Sequence, residues 1–150
     1  MKTVSKLITA VILIICVGIP LAVAASGLLM SGTYSAASTS SGPLDRPDND
    51  ANLTIEIIPT AISGVPSVTN YIEGLDSAGN AYTLCAGSAI TPSASAVQVV
   101  HVGPSLTPVA ASATGATCSA PIPNRWRVTV KNTAASSTNV TESVYYNTAR

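Results

Sequence analysis

Few side chains in this chain are able to do chemistry. His101 is the only histidine, and Cys16, Cys85 and Cys118 are the cysteines. The acids are Asp45, Asp48, Asp50, Glu56, Glu73, Asp76 and Glu142. A serine-type triad needs a histidine oriented by a carboxylate and set beside a nucleophile. Serine is abundant here, but no Gly-x-Ser-x-Gly elbow occurs, so a serine near His101 carries no signal. A lone histidine in a strand-like run reads as a packed or surface residue. Glycoside hydrolysis needs two facing carboxylates, and no period in the sequence pairs any two of these acids. Asp45, Asp48 and Asp50 are closely spaced, but the glycine and terminal glutamate of an EF-hand loop are missing. The expectation is a protein without catalytic residues, metal or cofactor.

Two cysteines, Cys85 and Cys118, lie outside the apolar N-terminus. Their spacing is not that of a zinc knuckle. In an exported chain they are expected to pair, closing a loop of about 33 residues and stabilising the fold by roughly 3–4 kcal/mol. In a reduced compartment they stay as two thiols. The stretch from Asp76 to Asn80 reads Asp-Ser-Ala-Gly-Asn. Asp76, Gly79 and Asn80 are turn formers, with Gly79 free to take positive φ, so a hairpin tip is expected there. Arg125-Trp126-Arg127 mixes basic and aromatic residues, as single-strand nucleic-acid sites do. Alternation, however, puts Trp126 on the face opposite both arginines. Asn52-Leu-Thr and Asn139-Val-Thr fit the glycosylation sequon, which matters only in a glycosylating host.

These residues must be held by something, and the chain offers short strands. LTIEI alternates Leu53, Ile55 and Ile57 against Thr54 and Glu56, and Pro59 ends that strand or places it at an edge. Val68, Asn70 and Ile72 share one face, with Thr69, Tyr71 and Glu73 on the other. Past the turn, Tyr82 and Leu84 oppose Thr83 and Cys85. Val97, Val99 and His101 oppose Gln98, Val100 and Val102, a run apolar on both faces and therefore central. Trp126, Val128 and Val130 point inward, leaving Arg125, Arg127, Thr129 and Lys131 to water. Val140, Val144 and Tyr146 share the inner face of the last strand. The expected core is Ile55, Ile72, Leu84, Val99, Trp126, Val128 and Val130. The fold class is all-β: an antiparallel β-sandwich, Ig-like or jelly-roll-like, of about six to eight strands. The stretch from Pro104 to Asn124 reads as a long crossing loop with room for one weak strand.

A hydrophobic helix and a flexible arm are expected to precede this domain, which occupies residues 53–150. Residues 1–30 carry Lys2 and Lys6 and then a long apolar run. They fit a secretory signal cleaved between Ala24 and Ala25, since Ala-Val-Ala satisfies the small-x-small rule. They also fit an uncleaved membrane anchor. A third reading starts the chain at Met30. Residues 31–52 are rich in Ser, Gly, Pro and Asp and read as a flexible arm. Across the chain, seven Lys and Arg balance seven Asp and Glu. No clustered basic face is available to release counterions, so no nucleic-acid partner is expected.

Several motifs in sequence resemble those of small tailed-bacteriophage virion-associated proteins of unassigned function. Ile72-x-Gly74-x-Asp76 is followed by Ala78-Gly79-x-x-Tyr82-x-Leu84 and then by Ser88-Ala89-Ile90. Val99 to Pro104, Pro123-x-x-Trp126-Arg127-Val128 and Ser143-Val144-Tyr145 continue the pattern, and Tyr34-Ser35-Ala36-Ala37 is similar to the opening arm. The resemblance implies a compact β domain on a virus particle, a capsid-decorating or minor structural protein with no catalytic residues. Its partners would be capsid or other structural subunits, or further copies of itself. The alternatives are an exported or envelope-anchored adhesive module, touching membrane through residues 1–30, and a carbohydrate-binding module.

Overall fold

The alternation in LTIEI survives intact: Leu53, Ile55 and Ile57 are buried, while Thr54 and Glu56 turn outward. The structure, a computed structural model, describes residues 25–35, 39–45, 52–93, 95–134 and 138–149. Ten strands run through them in chain order: β1 (Ala25–Ser35), β2 (Thr39–Asp45), β3 (Asn52–Ser63), β4 (Val68–Leu75), β5 (Ala81–Ala86), β6 (Gln98–Gly103), β7 (Val109–Ser112), β8 (Gly115–Ser119), β9 (Arg125–Asn132) and β10 (Asn139–Ala149). They form a six-stranded sheet, ordered β1-β10-β3-β6-β8-β7, and a four-stranded sheet, ordered β2-β9-β4-β5. There is no helix among the described residues. Of the segment 1–30 expected as a hydrophobic N-terminal helix, residues 1–24 lie outside the described residues, and residues 25–30 are not helix but the first part of β1.

One core lies between the two sheets. Leu53, Ile55, Ile57, Val100, Val102, Val140 and Val144 from the larger sheet meet Val68, Ile72, Cys85, Trp126, Val128 and Val130 from the smaller. Fully burying an aliphatic side chain stabilises by about 1.5–3 kcal/mol, so this layer is the main source of cohesion. Trp126 meets Tyr146 edge-on across the gap, with ring centroids 6.2 Å apart, a favoured aromatic geometry.

Several expectations are corrected. Strands exceed the expected number, and β8 runs parallel to β6. The crossing loop after Pro104 holds two strands rather than one, with β7 turning back antiparallel onto β8. This insertion puts β8 beside β6 and leaves β7 as the sheet edge. Part of the expected arm is strand: residues 31–35 complete β1, and residues 39–45 form β2. β1 borders the larger sheet against β10, and β2 borders the smaller against β9. Pro59 does not end β3. It sits opposite Glu142 at a register shift in the β3–β10 pairing, beyond the reach of β6, which pairs only Leu53 to Ile57. With no partner strand on that side, its missing N–H costs no ladder bond.

Two expected core residues also move. In β6, Gln98 pairs with Ile57 and Val100 with Ile55, so Gln98, Val100 and Val102 take the inner face. Val99 lies on the outer face opposite Glu56 and is only half-buried. A register shift beyond Ile72 sets Cys85 opposite Ile72 and buries it, leaving Leu84 half-buried against the rim of the core. Thr129, expected in water, is buried under Glu73, whose carboxylate Oε2 accepts from Thr129 Oγ1 and from Arg127 Nε, each at 2.7 Å.

Candidate functional site

The loop between β4 and β5 is closed on itself. Asp76 Oδ1 accepts from the Ala78 and Asn80 backbone N–H groups at 2.9 and 2.8 Å, and Oδ2 accepts from Asn80 Nδ2 at 2.9 Å. Gly79 supplies φ of 86°, a conformation that costs glycine little. These hydrogen bonds, chiefly those from Asn80, hold the Asp76 carboxyl below its ordinary value. Asp76, Gly79 and Asn80 therefore build a turn. Among the described residues no group of His, Cys, Asp and Glu could hold a metal ion.

Cys85 and Cys118 are joined, with Cα atoms 5.7 Å apart. Cys85 belongs to β5 at the edge of the smaller sheet, and Cys118 to β8 in the larger. The bond therefore staples one layer to the other, on the side of the sandwich away from β1 and β2.

His101 faces outward from β6. Its Nδ1 meets Thr54 Oγ1 from β3 at 3.1 Å. That ring partner is a hydroxyl and not the carboxylate that a triad requires. Beside this pair, a shallow groove of about 530 Å³ crosses the outer face of the larger sheet. Leu28, Tyr145, Glu56 and Val99 follow one another across it on four adjacent strands, since each is paired in register with the next. Thr54, Ser26 and Asn147 add polar groups to its lining. Leu28 is 56% exposed and Tyr145 38%. Further along the same face, Ser31 bonds Ser143 and Thr33 bonds Thr141, hydroxyl to hydroxyl. Glu56 is the one charged residue in the lining of the groove.

The chemistry that the sequence reading missed is inside. Glu142 occupies the inner face of β10 between Val140 and Val144, with no exposure. Asn70, equally buried on β4, donates from Nδ2 to Glu142 Oε2 at 3.4 Å. Burial pushes the Glu142 carboxyl up from 4.5 to about 7, against a smaller opposing effect of the Asn70 hydrogen bond. Tyr34 of β1, also buried, has its phenol raised by burial and by the nearby Glu142 charge. Gln98 is buried too, and its Nε2 donates to the Ser88 carbonyl at 3.0 Å. Strand parity was the available signal. Val140, Val144 and Tyr146 mark the inner face, and Glu142 shares their parity.

No protein-family model matches the chain, and no curated protein matches its sequence.

Proposed function

We propose that the protein is a non-catalytic structural module of two β-sheets that works in an oxidising setting and presents the outer face of its larger sheet as a contact surface. The observation that carries this reading is the Cys85–Cys118 bond between the two layers. Structural disulfides persist outside reducing compartments. The N-terminal sequence supports it further. Cleavage after Ala24 would leave all of residues 25–35, which form β1, in the mature chain. Exposed Leu28 and Tyr145, set among hydroxyls and one acid, suit the docking of a neighbouring structural protein. The sequence resemblance makes a virion the first place to look for that neighbour, and a cell envelope the second.

The experiment is intact-mass analysis of the native protein, alongside its recovery from purified particles and from the envelope fraction. An N-terminus at Ala25 and a mass short by the hydrogens of one disulfide are expected. A chain that starts at Met30 and carries free thiols overturns the reading.

A further inference from the structure

Two buried oxygens of the Asn70–Glu142 pair have no hydrogen bond: Asn70 Oδ1 and Glu142 Oε1. They belong to the same two planar groups that already meet through Asn70 Nδ2 and Glu142 Oε2. A carboxylate only accepts, so an ionised Glu142 leaves the amide oxygen facing an anion and neither of them satisfied. Unpaired polar atoms in the interior are costly, and more so when one of them carries charge. A protonated carboxyl has one O–H to donate. Placed on Oε1, that single proton satisfies both orphans at once.

We infer that Glu142 is carried as a neutral carboxylic acid whose O–H donates to Asn70 Oδ1, so that acid and amide form a two-bond clasp between the sheets, and that release of this proton to water opens the clasp.

The surroundings agree. From β1, Gly32 is paired with Glu142, and the Tyr34 hydroxyl lies 3.4 Å from where a Gly32 side chain would begin. From β3, Pro59 is the paired residue. From β4 comes Asn70, and beside it on β9 is Val130. Tyr34 is the only one of these that titrates, and its own shift is upward from 10.0, so it stays neutral. Among the described residues no Lys, Arg or His is buried, so no cation is at hand to balance an anion. Burial itself raises the Glu142 carboxyl, and the Asn70 hydrogen bond opposes it only in part. The clasp also lies beside β1, because Gly32 faces Glu142 in register. Opening it therefore loosens the β1–β10 edge as well as the contact between layers. The sandwich is locked under mildly acidic conditions and eased under alkaline ones.

The test is the carboxyl carbon-13 shift of Glu142 in the native protein, followed against pH, with amide hydrogen exchange in β1 and β10 read in parallel. A midpoint near neutrality is expected. The unfolding constant should rise roughly 300-fold from acid to alkaline conditions, the factor that a shift from 4.5 to about 7 implies. Glu142→Gln keeps an amide-to-amide pair without a titrating proton and should flatten that dependence. A Glu142 midpoint in the ordinary carboxylate range overturns the inference, as does an unchanged pH slope in Glu142→Gln. Should that variant fail to fold, the wild-type carboxyl titration decides alone.

Discussion

Cys85 and Cys118 sit on different sheets, yet their Cα atoms are 5.7 Å apart and their side chains are bonded. The two sheets are otherwise joined by apolar contact and by a few hydrogen bonds across the interior, such as the one from Asn132 Nδ2 to the Tyr34 carbonyl at 3.3 Å. The bridge closes a loop with a separation of 33 residues, within which β6 and β7 lie. In the chain-entropy account, a loop of that size stabilises by about 3–4 kcal/mol. Cys85→Ser with Cys118→Ser should lower the unfolding free energy by about that much. Denaturant titration of the oxidised protein and of the double variant checks it.

Stability should also depend on pH through Glu142. Its folded-state value lies above its ordinary one, so the folded state binds the proton more tightly than the unfolded state does. The stabilising contribution is then complete below 4.5 and disappears as pH rises through about 7. The loss amounts to about 3 kcal/mol. Unfolding curves taken at steps between pH 4 and pH 9 should show stability falling as pH rises. Asp76 acts in the opposite sense, its carboxyl being lowered, but it is fully exposed and changes little.

What the sequence showed of this fold depended on where the residues differ in character. RWRVTV alternates apolar with polar residues, and its inner face, Trp126, Val128 and Val130, is legible directly. β1 is Ala-Ser-Gly-Leu-Leu-Met-Ser-Gly-Thr-Tyr-Ser. Its small residues resemble a signal's end or an arm, because Gly32 and Ser31 differ little in hydropathy. Its partner β10 determines its register, and a partner distant in sequence leaves no local trace. Val99 failed for a related reason. β6 is apolar on both faces, so the parity that mattered came from Ile55 and Ile57 across the ladder. At the candidate site, the turn residues Asp76, Gly79 and Asn80 were readable because they act locally. Glu142 was overlooked because a carboxylate on an inner face contradicts the hydrophobic pattern that defines that face.

Gly115 is needed where β7 turns back into β8. Its φ is 137°, and a Cβ there would overlap the Val99 carbonyl oxygen of β6. The same close approach lets Val99 N–H donate to the Thr114 carbonyl at 2.9 Å, the first bond that holds β8 parallel to β6. Gly115→Ala meets both the strained backbone and backbone atoms that cannot swing aside. It should cost at least about 2 kcal/mol. Hydrogen exchange should show the loss concentrated in residues 109–119, with β9 and β4 still protected.

The length of β1 separates the readings of the N-terminus. A chain that starts at Ala25 keeps every pair from Ala25 with Thr148 to Ser35 with Asn139. A chain that starts at Met30 loses the partners of Thr148, Asn147, Tyr146 and Tyr145, and with them Leu28, one wall of the outer groove. Each lost backbone bond costs about 0.5–1.5 kcal/mol net, so with four pairs lost the shorter chain should be less stable by roughly 2–6 kcal/mol. Tyr145 and Tyr146 should also become more accessible, because β10 would be an open edge there, and open edges invite pairing with other chains. The Met30 chain, with β10 newly open beside the shortened β1, should therefore self-associate more readily than the Ala25 chain as concentration rises. Denaturant titration and sedimentation of the two chains, both with the Cys85–Cys118 bond intact, test this. Equal stability and equal sedimentation would show that residues 25–29 contribute nothing to the fold and would remove the structural argument for an N-terminus at Ala25.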